Sequence, residues 1–259
     1  MFAPSAATAQ KPEATQSVSA CSLHTICILI PAWQPTATLP ALVEDLAVRG
    51  FGKILVVDDG SGVAYQPIFD QVTAQAGVKL LRHAVNLGKG RALKTGFRDL
   101  LGDPEGWEGL VTADADGQHR PEDIERVARA LLAHRLRPVF GTRRFGRDVP
   151  LRSRFGNQLT RKLFAWFTGV KLADTQTGLR GLPQTLLPEL LALLGERYEY
   201  EMTALVHLCR TGRRPLEVPI ATIYLENNRG SHFNPVWDSI RVLFVLLRSC
   251  MPNPRGVSS

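Results

Sequence analysis

Several absences narrow the sequence before any motif is read. No run approaches the roughly 18 apolar residues a spanning helix requires, so no segment is expected to cross a bilayer. No GxGxxG follows the first apolar stretch, which argues against a dinucleotide oxidoreductase, and no GxxxxGK[ST] occurs, which argues against a Walker ATPase. Cysteine is scarce: Cys21, Cys27, Cys209 and Cys250 are the only four in 259 residues, and no two form a CxxC pair. Such usage fits a reducing compartment rather than a disulfide framework. Internal repeats are absent. The net charge of +7 comes with no zinc-finger spacing, helix-turn-helix signature or long basic tail, so no nucleic-acid partner is expected. The charge points instead to phosphorylated substrates or an anionic membrane surface. With 44% hydrophobic and 21% charged residues, the chain can build a sizeable core.

What is present divides unevenly. Residues 1–24, rich in Ala, Ser, Thr and Gln, read as a flexible tail and carry no apolar run of a secretory signal. An apolar run over 25–30 predicts a first strand that should stop at Pro31, which has no N–H to donate. Leu39, Leu42, Val43 and Leu46 share one helical face, with Gly50 as the stop. A strand over 54–57 closes in Asp58, Asp59, Gly60 and Ser61; a helix over 66–76 and a strand over 78–81 follow. NLGKG at 86–90 opens a helix reaching about Leu101. A strand then runs into LVTADADGQH at 110–119, and Pro121 starts a helix with Ile124, Val127, Ala128 and Leu131 on its buried face. A short strand is expected over 138–141.

This alternation predicts an α/β fold, a mostly parallel central sheet with helices on both faces. Ligands of such sheets sit at the carboxyl ends of the strands, where Asp58, Asp59, Asp114 and Asp116 all fall. Beyond residue 142 the sheet resumes only loosely, with helices over 184–194 and 200–210 and a strand over 216–220. An amphipathic helix over 235–251 and a tail over 252–259 end the chain, which makes 25–234 the expected main domain.

The motifs carry chemistry of one kind. Strand periodicity puts Asp114 and Asp116 on one side of an ending strand, a costly juxtaposition unless a cation neutralises it. Carboxylate oxygens suit Mg2+ or Mn2+, and a substrate diphosphate can complete such a site. The plainer alternative is a solvated turn. Asp58-Asp59-Gly60-Ser61 can accept hydrogen bonds from a base or a ribose, or form an Asx turn. The glycines of NLGKG can bring backbone N–H groups and Lys89 to a phosphate, or simply cap a helix. Residues 142–167 interleave Arg143, Arg144, Arg147, Arg152, Arg154, Arg161 and Lys162 with Phe145, Phe155, Phe164, Trp166 and Phe167.

Taken in order, these pieces resemble the family 2 glycosyltransferases, in the dolichyl-phosphate mannosyltransferase and polyprenyl-phosphate glycosyltransferase branch. The matching pieces are IPAW at 30–33, VVDDGS at 56–61, NLGKGRALKTGF at 86–97, TADADGQH at 112–119, GTRRF at 141–145, DTQTGLRG at 174–181 and SHFNPVWDSIR at 231–241. One departure is Trp33-Gln34, where the family usually reads Tyr-Asn in a loop near the nucleotide. The resemblance implies the nucleotide-diphospho-sugar (GT-A) fold and a metal-dependent, inverting hexose transfer from a nucleotide sugar such as GDP-mannose or UDP-glucose. It places Pro31, Ala32 and Asp59 at the nucleotide with Asp58 in support, and Asp114 at the ribose or the metal-bound donor. Asp116 and Gln118 would join Asp114 as metal ligands. The acceptor would be a polyprenyl or dolichyl phosphate held by Arg143 and Arg154, with Asp174 orienting it or taking a proton and Arg180 pairing with Asp174 or a phosphate.

Such an enzyme is expected in the cytoplasm, peripherally associated with the inner face of the membrane through residues 150–167 and 235–248. The other reading of both segments is packing on the core or on another subunit. Whether a second copy or a membrane-protein partner takes part is open at this point. The alternatives are a family 2 enzyme acting on a soluble phosphorylated or carbohydrate acceptor, an inactive nucleotide-sugar scaffold, and a sugar-phosphate nucleotidyltransferase. IPAWQP, at 30–35, lacks the glycine-rich basic loop of the last.

Overall fold

Strand alternation sorts the apolar residues of the amino-terminal half onto two faces. In β1 (Ile26–Ala32), Ile26, Ile28 and Ile30 join one buried cluster, while Cys27 and Leu29 join another. In β2 (Lys53–Asp58), Ile54 and Val56 separate from Leu55 and Val57 in the same way. A strand buried on both faces needs cover on both. One side is covered by α1 (Thr38–Val48), α2 (Gln66–Thr73) and α4 (Pro121–Ala133). The other is covered by α3 (Lys89–Gly102), α5 (Leu151–Thr168), α6 (Leu187–Leu191) and α7 (Glu199–Arg210). The computed structural model describes residues 23–103, 106–135, 137–143 and 151–222, with backbone only for 151–159.

The sheet is completed by β3 (Val78–Arg82), β4 (Gly109–Thr112), β5 (Val139–Arg143), β6 (Arg180–Pro183) and β7 (Leu216–Ile220). Its order is β3-β2-β1-β4-β6-β5-β7. β3, β2, β1 and β4 pair in parallel, β6 runs antiparallel to both β4 and β5, and β5 pairs in parallel with β7. The chain moves outward from β1 to β3, then crosses back to place β4 on the other side of β1. That reversal makes the carboxyl ends of β1 and β4 the place where such a sheet opens a crevice.

Three expectations need correcting. β1 does not stop at Pro31 but runs to Ala32, with Pro31 opposite Val57. The Leu29 carbonyl accepts from Ala113 on the β4 side, so two residues on the Pro31 nitrogen faces that side too, where β4 has already ended at Thr112. No ladder bond is lost there. The second correction is β6, read only as a loose resumption of the sheet. Its sequence RGLP has no β-branched residue, and neighbours on both sides hold it through its backbone. The third concerns lengths: the helix expected over 66–76 ends at Thr73, and that over 184–194 shrinks to α6 behind a 3-10 turn. The helix expected over 235–251 lies outside the described residues, as does Arg144.

Candidate active site

Three loops at the carboxyl edge are tied together by carboxylates. After β2, Asp58 Oδ1 accepts the Ser61 N–H at 2.9 Å, the Asx type of turn. Ser61 Oγ in turn accepts the Gln34 N–H at 2.8 Å, from the loop after β1. Gln34 sits at φ +50, the only non-glycine residue with positive φ among those described. Asp59 is 3% exposed and reaches the loop after β3. Its Oδ1 accepts the Leu87 N–H at 2.9 Å and meets His83 Nδ1 at 2.7 Å, and its Oδ2 accepts the Gly88 N–H at 2.8 Å. Gly60 lets the loops close, because a Cβ there would lie 2.3 Å from the Val85 carbonyl carbon. Asp59 therefore fixes NLGKG rather than facing solvent. Its own N–H donates to the Ala32 carbonyl at 2.8 Å, which places the end of β1, Pro31 and Ala32, in the same assembly.

NLGKG carries the connection onward. Lys89, the first residue of α3, puts Nζ 2.6 Å from Asp114 Oδ1 and 2.8 Å from Glu201 Oε2. His119 Nε2 lies 3.2 Å from Asp114 Oδ2, and a side chain at Gly178 would collide with that carboxylate at 2.4 Å. Burial acts to raise the Asp114 carboxyl, but Lys89 and His119 outweigh it and hold it well below the usual range. Burial likewise acts to lower the Lys89 ammonium, and the charges of Asp114 and Glu201 outweigh it and raise it. The three groups form one charged cluster drawn from α3, the loop after β4 and α7.

Asp116 is handled differently. β4 ends at Thr112 and the chain turns at Ala115 and Asp116, with Gly117 at φ +78. Strand periodicity thus does not bring the two carboxylates together; the turn does. Asp116 is exposed and accepts the Gln118 N–H at 2.9 Å. Desolvation in the crevice and the nearby Asp114 charge raise its carboxyl above the usual range. A cation at Asp116 would relieve that cost, and the carboxylate and amide oxygens of Asp114, Asp116 and Gln118 have the hard-ligand chemistry for Mg2+ or Mn2+. No set of three His, Cys, Asp or Glu side chains that could hold a metal forms among the described residues.

On the far side of β4, Asp174 is 1% exposed and is gripped by Arg143. Arg143 Nε lies 2.7 Å from Oδ2 and Nη2 3.3 Å from Oδ1, which also accepts the Gln176 N–H at 2.9 Å. The expected pairing of Arg180 with Asp174 is not made. Arg180 is buried in β6, donates to the carbonyls of Thr177 and Glu201 and lies 4.8 Å over the Phe140 ring. Asp174 and Gly178 belong to one short segment, and Thr112 binds the Gly178 carbonyl at 2.8 Å, so this segment lies against the Asp114 cluster. The Arg154 side chain lies outside the described residues. Glu201 was missed by the sequence reading. An acid in the first turn of a helix is the common dipole-favoured choice, so nothing marked it out.

The family model described as glycosyl transferase family 2 matches residues 27–183. An uncharacterized protein of Methanocaldococcus jannaschii is 30% identical over 228 residues, 86% of this chain and 90% of the relative. The UDP-N-acetylglucosamine–dolichyl-phosphate N-acetylglucosaminyltransferase of Methanococcus voltae is 29% identical over 78% of this chain and 86% of its own length. The undecaprenyl-phosphate mannosyltransferase of Micrococcus luteus is 29% identical over 78% of this chain and 84% of its own length. Among solved structures, glucosyl-3-phosphoglycerate synthase of Mycobacterium tuberculosis, in complex with Mn2+, UDP and glucosyl-3-phosphoglycerate, superposes with a TM-score of 0.65. It is 19% identical, covering 95% of this chain and 88% of its own, and the likeness is one of fold.

Proposed function

The chain belongs to glycosyl transferase family 2, and from that premise we propose that it moves a hexose from a nucleoside-diphosphate sugar to a polyprenyl or dolichyl phosphate, with inversion. The observation that carries this reading is the joined crevice: Asp59 fixes NLGKG, NLGKG delivers Lys89 to Asp114, and the Asp174–Gly178 segment closes on Asp114 from the other side. Named relatives that use lipid phosphates support the choice of acceptor.

In this reading the loops after β1 and β2 hold the nucleoside, and the Lys89 ammonium faces the diphosphate. Asp114, Asp116 and Gln118 would hold the Mg2+ or Mn2+, which supplies charge neutralisation on the departing nucleoside diphosphate. The acceptor phosphate has a second pKa near 6 and is mostly dianionic at neutral pH, so it needs little help from a base. It needs a cation that holds it in line with the anomeric carbon, and Arg143 is that cation, with Arg154 as its companion. Both Asp174 oxygens already have partners, so Asp174 serves to aim Arg143 rather than to take a proton.

No helix among the described residues is long and apolar enough to cross a membrane. The access to a lipid proposed with this function is peripheral contact at the inner face, through α5, basic in sequence and with Trp166 78% exposed, and through residues 235–248, which lie outside the described residues. A second reading, transfer to a soluble phosphorylated acceptor, shares every step up to the acceptor; glucosyl-3-phosphoglycerate synthase, whose fold this chain shares, is named for such an acceptor.

Thermal unfolding in the presence of UDP or GDP, each with Mn2+ or Mg2+, tests the donor half. A ligand at about 100 times its Kd adds about 2.7 kcal/mol, a rise of about 5–10 °C for a domain of this size. One diphosphate with metal should give that rise. An unmoved melting temperature with every pair contradicts the proposal.

A further inference from the structure

We infer that Glu217 is a positioning residue for the Arg143–Asp174 pair, an inference that rests on the acceptor-binding role proposed for that pair. β7 lies beside β5 in parallel, with Phe140 opposite Glu217 and Thr142 opposite Pro219. Val218 and Ile220, on the alternate positions of β7, are buried in the apolar cluster under α4. Glu217 therefore projects to the other face of the sheet. There its Oε1 accepts the Ala173 N–H at 2.7 Å and meets Thr142 Oγ1 at 3.2 Å.

Those two partners are the immediate neighbours of the pair. Ala173 precedes Asp174, and Thr142 precedes Arg143. The ion pair sets the distance between Arg143 and Asp174. The Glu217 oxygen sets where the two stand relative to the sheet, by fastening the Asp174 segment to the end of β5. Thr142 is 7% exposed, so water is poorly placed to substitute for a lost acceptor. A shift of about 1 Å in a positioning group can cost about a hundredfold in rate.

The plainer alternative is that Glu217 is an edge charge, of the kind that discourages strand-to-strand association at the side of a sheet. The two roles need different properties of the side chain. An edge charge needs only the charge. The fastening needs an acceptor oxygen at the present reach, charged or not.

Two substitutions separate them. E217Q removes the charge and keeps an oxygen in place; E217D keeps the charge and withdraws the oxygen by one methylene. Steady-state kinetics would use a short-chain polyprenyl phosphate in detergent micelles, with the nucleotide sugar whose diphosphate gives the largest thermal shift. The fastening role predicts that E217Q stays within about threefold of the parent in acceptor kcat/KM. It predicts that E217D loses about ten- to a hundredfold, with the nucleoside-diphosphate Kd unchanged. T142V, which removes one of the two contacts, should lose about threefold with the same unchanged Kd. The inference is overturned if E217D matches the parent, if E217Q falls as far as E217D, or if the diphosphate Kd moves in step with the acceptor term. R143A separates this from failure of the underlying reading. If R143A leaves acceptor use unchanged, the role of the pair is wrong. If R143A is impaired while E217D and T142V are not, only the positioning role of Glu217 is wrong.

Discussion

The two sides of the crevice hold their carboxylates by different means. On the β2 side, Asp59 is fixed by two backbone N–H groups and an imidazole. On the β4–β6 side, Asp114 and Asp174 each gain a long cationic side chain, Lys89 and Arg143, beside the His119 imidazole and the Gln176 N–H respectively. Backbone donors cannot leave without remaking a loop, so Asp59 is scaffold. Cationic side chains can share or exchange partners, so under the proposed function the phosphates would compete with Asp114 and Asp174 for Lys89 and Arg143. The two cations also differ. The Lys89 ammonium is a point charge with rotatable donors that already bridges Asp114 and Glu201, whereas the Arg143 guanidinium presents a planar fork whose direction Asp174 sets.

Asp116 has neither kind of holder beyond the Gln118 N–H, and there the contrast is broken most severely. D116N should cut transfer by about 10²–10³-fold, the size of effect seen when a charge-stabilising group is removed from an active site. The same change should raise the melting temperature of the donor-free protein, because a carboxyl whose pKa is raised on folding destabilises the fold at neutral pH. By the same sign, the parent should regain that increment as pH falls through the raised pKa, and D116N should not. Kinetics at saturating metal and a thermal melt from pH 4 to 8 check both.

R143A sharpens the acceptor side. It leaves Asp174 as a buried, unpaired carboxylate, a loss of about 3–5 kcal/mol by the measure of broken buried pairs. Acceptor kcat/KM should fall by more than the stability loss disturbs diphosphate binding, which calorimetric titration with UDP or GDP measures. A diphosphate Kd that shifts while acceptor kinetics hold would reverse the roles of the two sides. D59A sharpens the scaffold side. It strands the Leu87 and Gly88 N–H groups, costing about 2–3 kcal/mol, and should weaken diphosphate binding with little change in acceptor KM. The smallest effect is expected at Gln34. Asn tolerates positive φ better than Gln, so Q34N should stabilise by about 0.5–1 kcal/mol, read as a melting temperature about 1–3 °C higher.

The sequence reading did best where local pattern and tertiary role agree. The parallel half was legible because its strands are apolar on both faces and its helices carry one apolar face each, as Leu39, Leu42, Val43 and Leu46 do in α1. β6 was not legible, because Arg180, Gly181 and Pro183 are poor strand formers whose conformation comes from two neighbouring strands. Among the candidate site residues, motif spacing nominated Asp59, Lys89, Asp114 and Asp174, and the structure shows what each of them contacts. Spacing did not reveal that Lys89 answers Asp114, that Arg143 rather than Arg180 answers Asp174, or that Glu201 arrives from α7. Those are contacts between residues far apart in the chain, and periodicity carries no information about them.

Product analysis tests the assignment of the acceptor. The protein would be incubated with UDP-glucose, UDP-N-acetylglucosamine or GDP-mannose, Mn2+, and both a polyprenyl phosphate in anionic vesicles and 3-phosphoglycerate. Mass spectrometry of the lipid and aqueous phases then shows where the sugar has gone. The expected product is a polyprenyl monophosphate carrying one sugar, formed in preference to any water-soluble product and lost in R143A. Sugar found on the soluble phosphate alone, with the lipid unmodified for every donor, would contradict it.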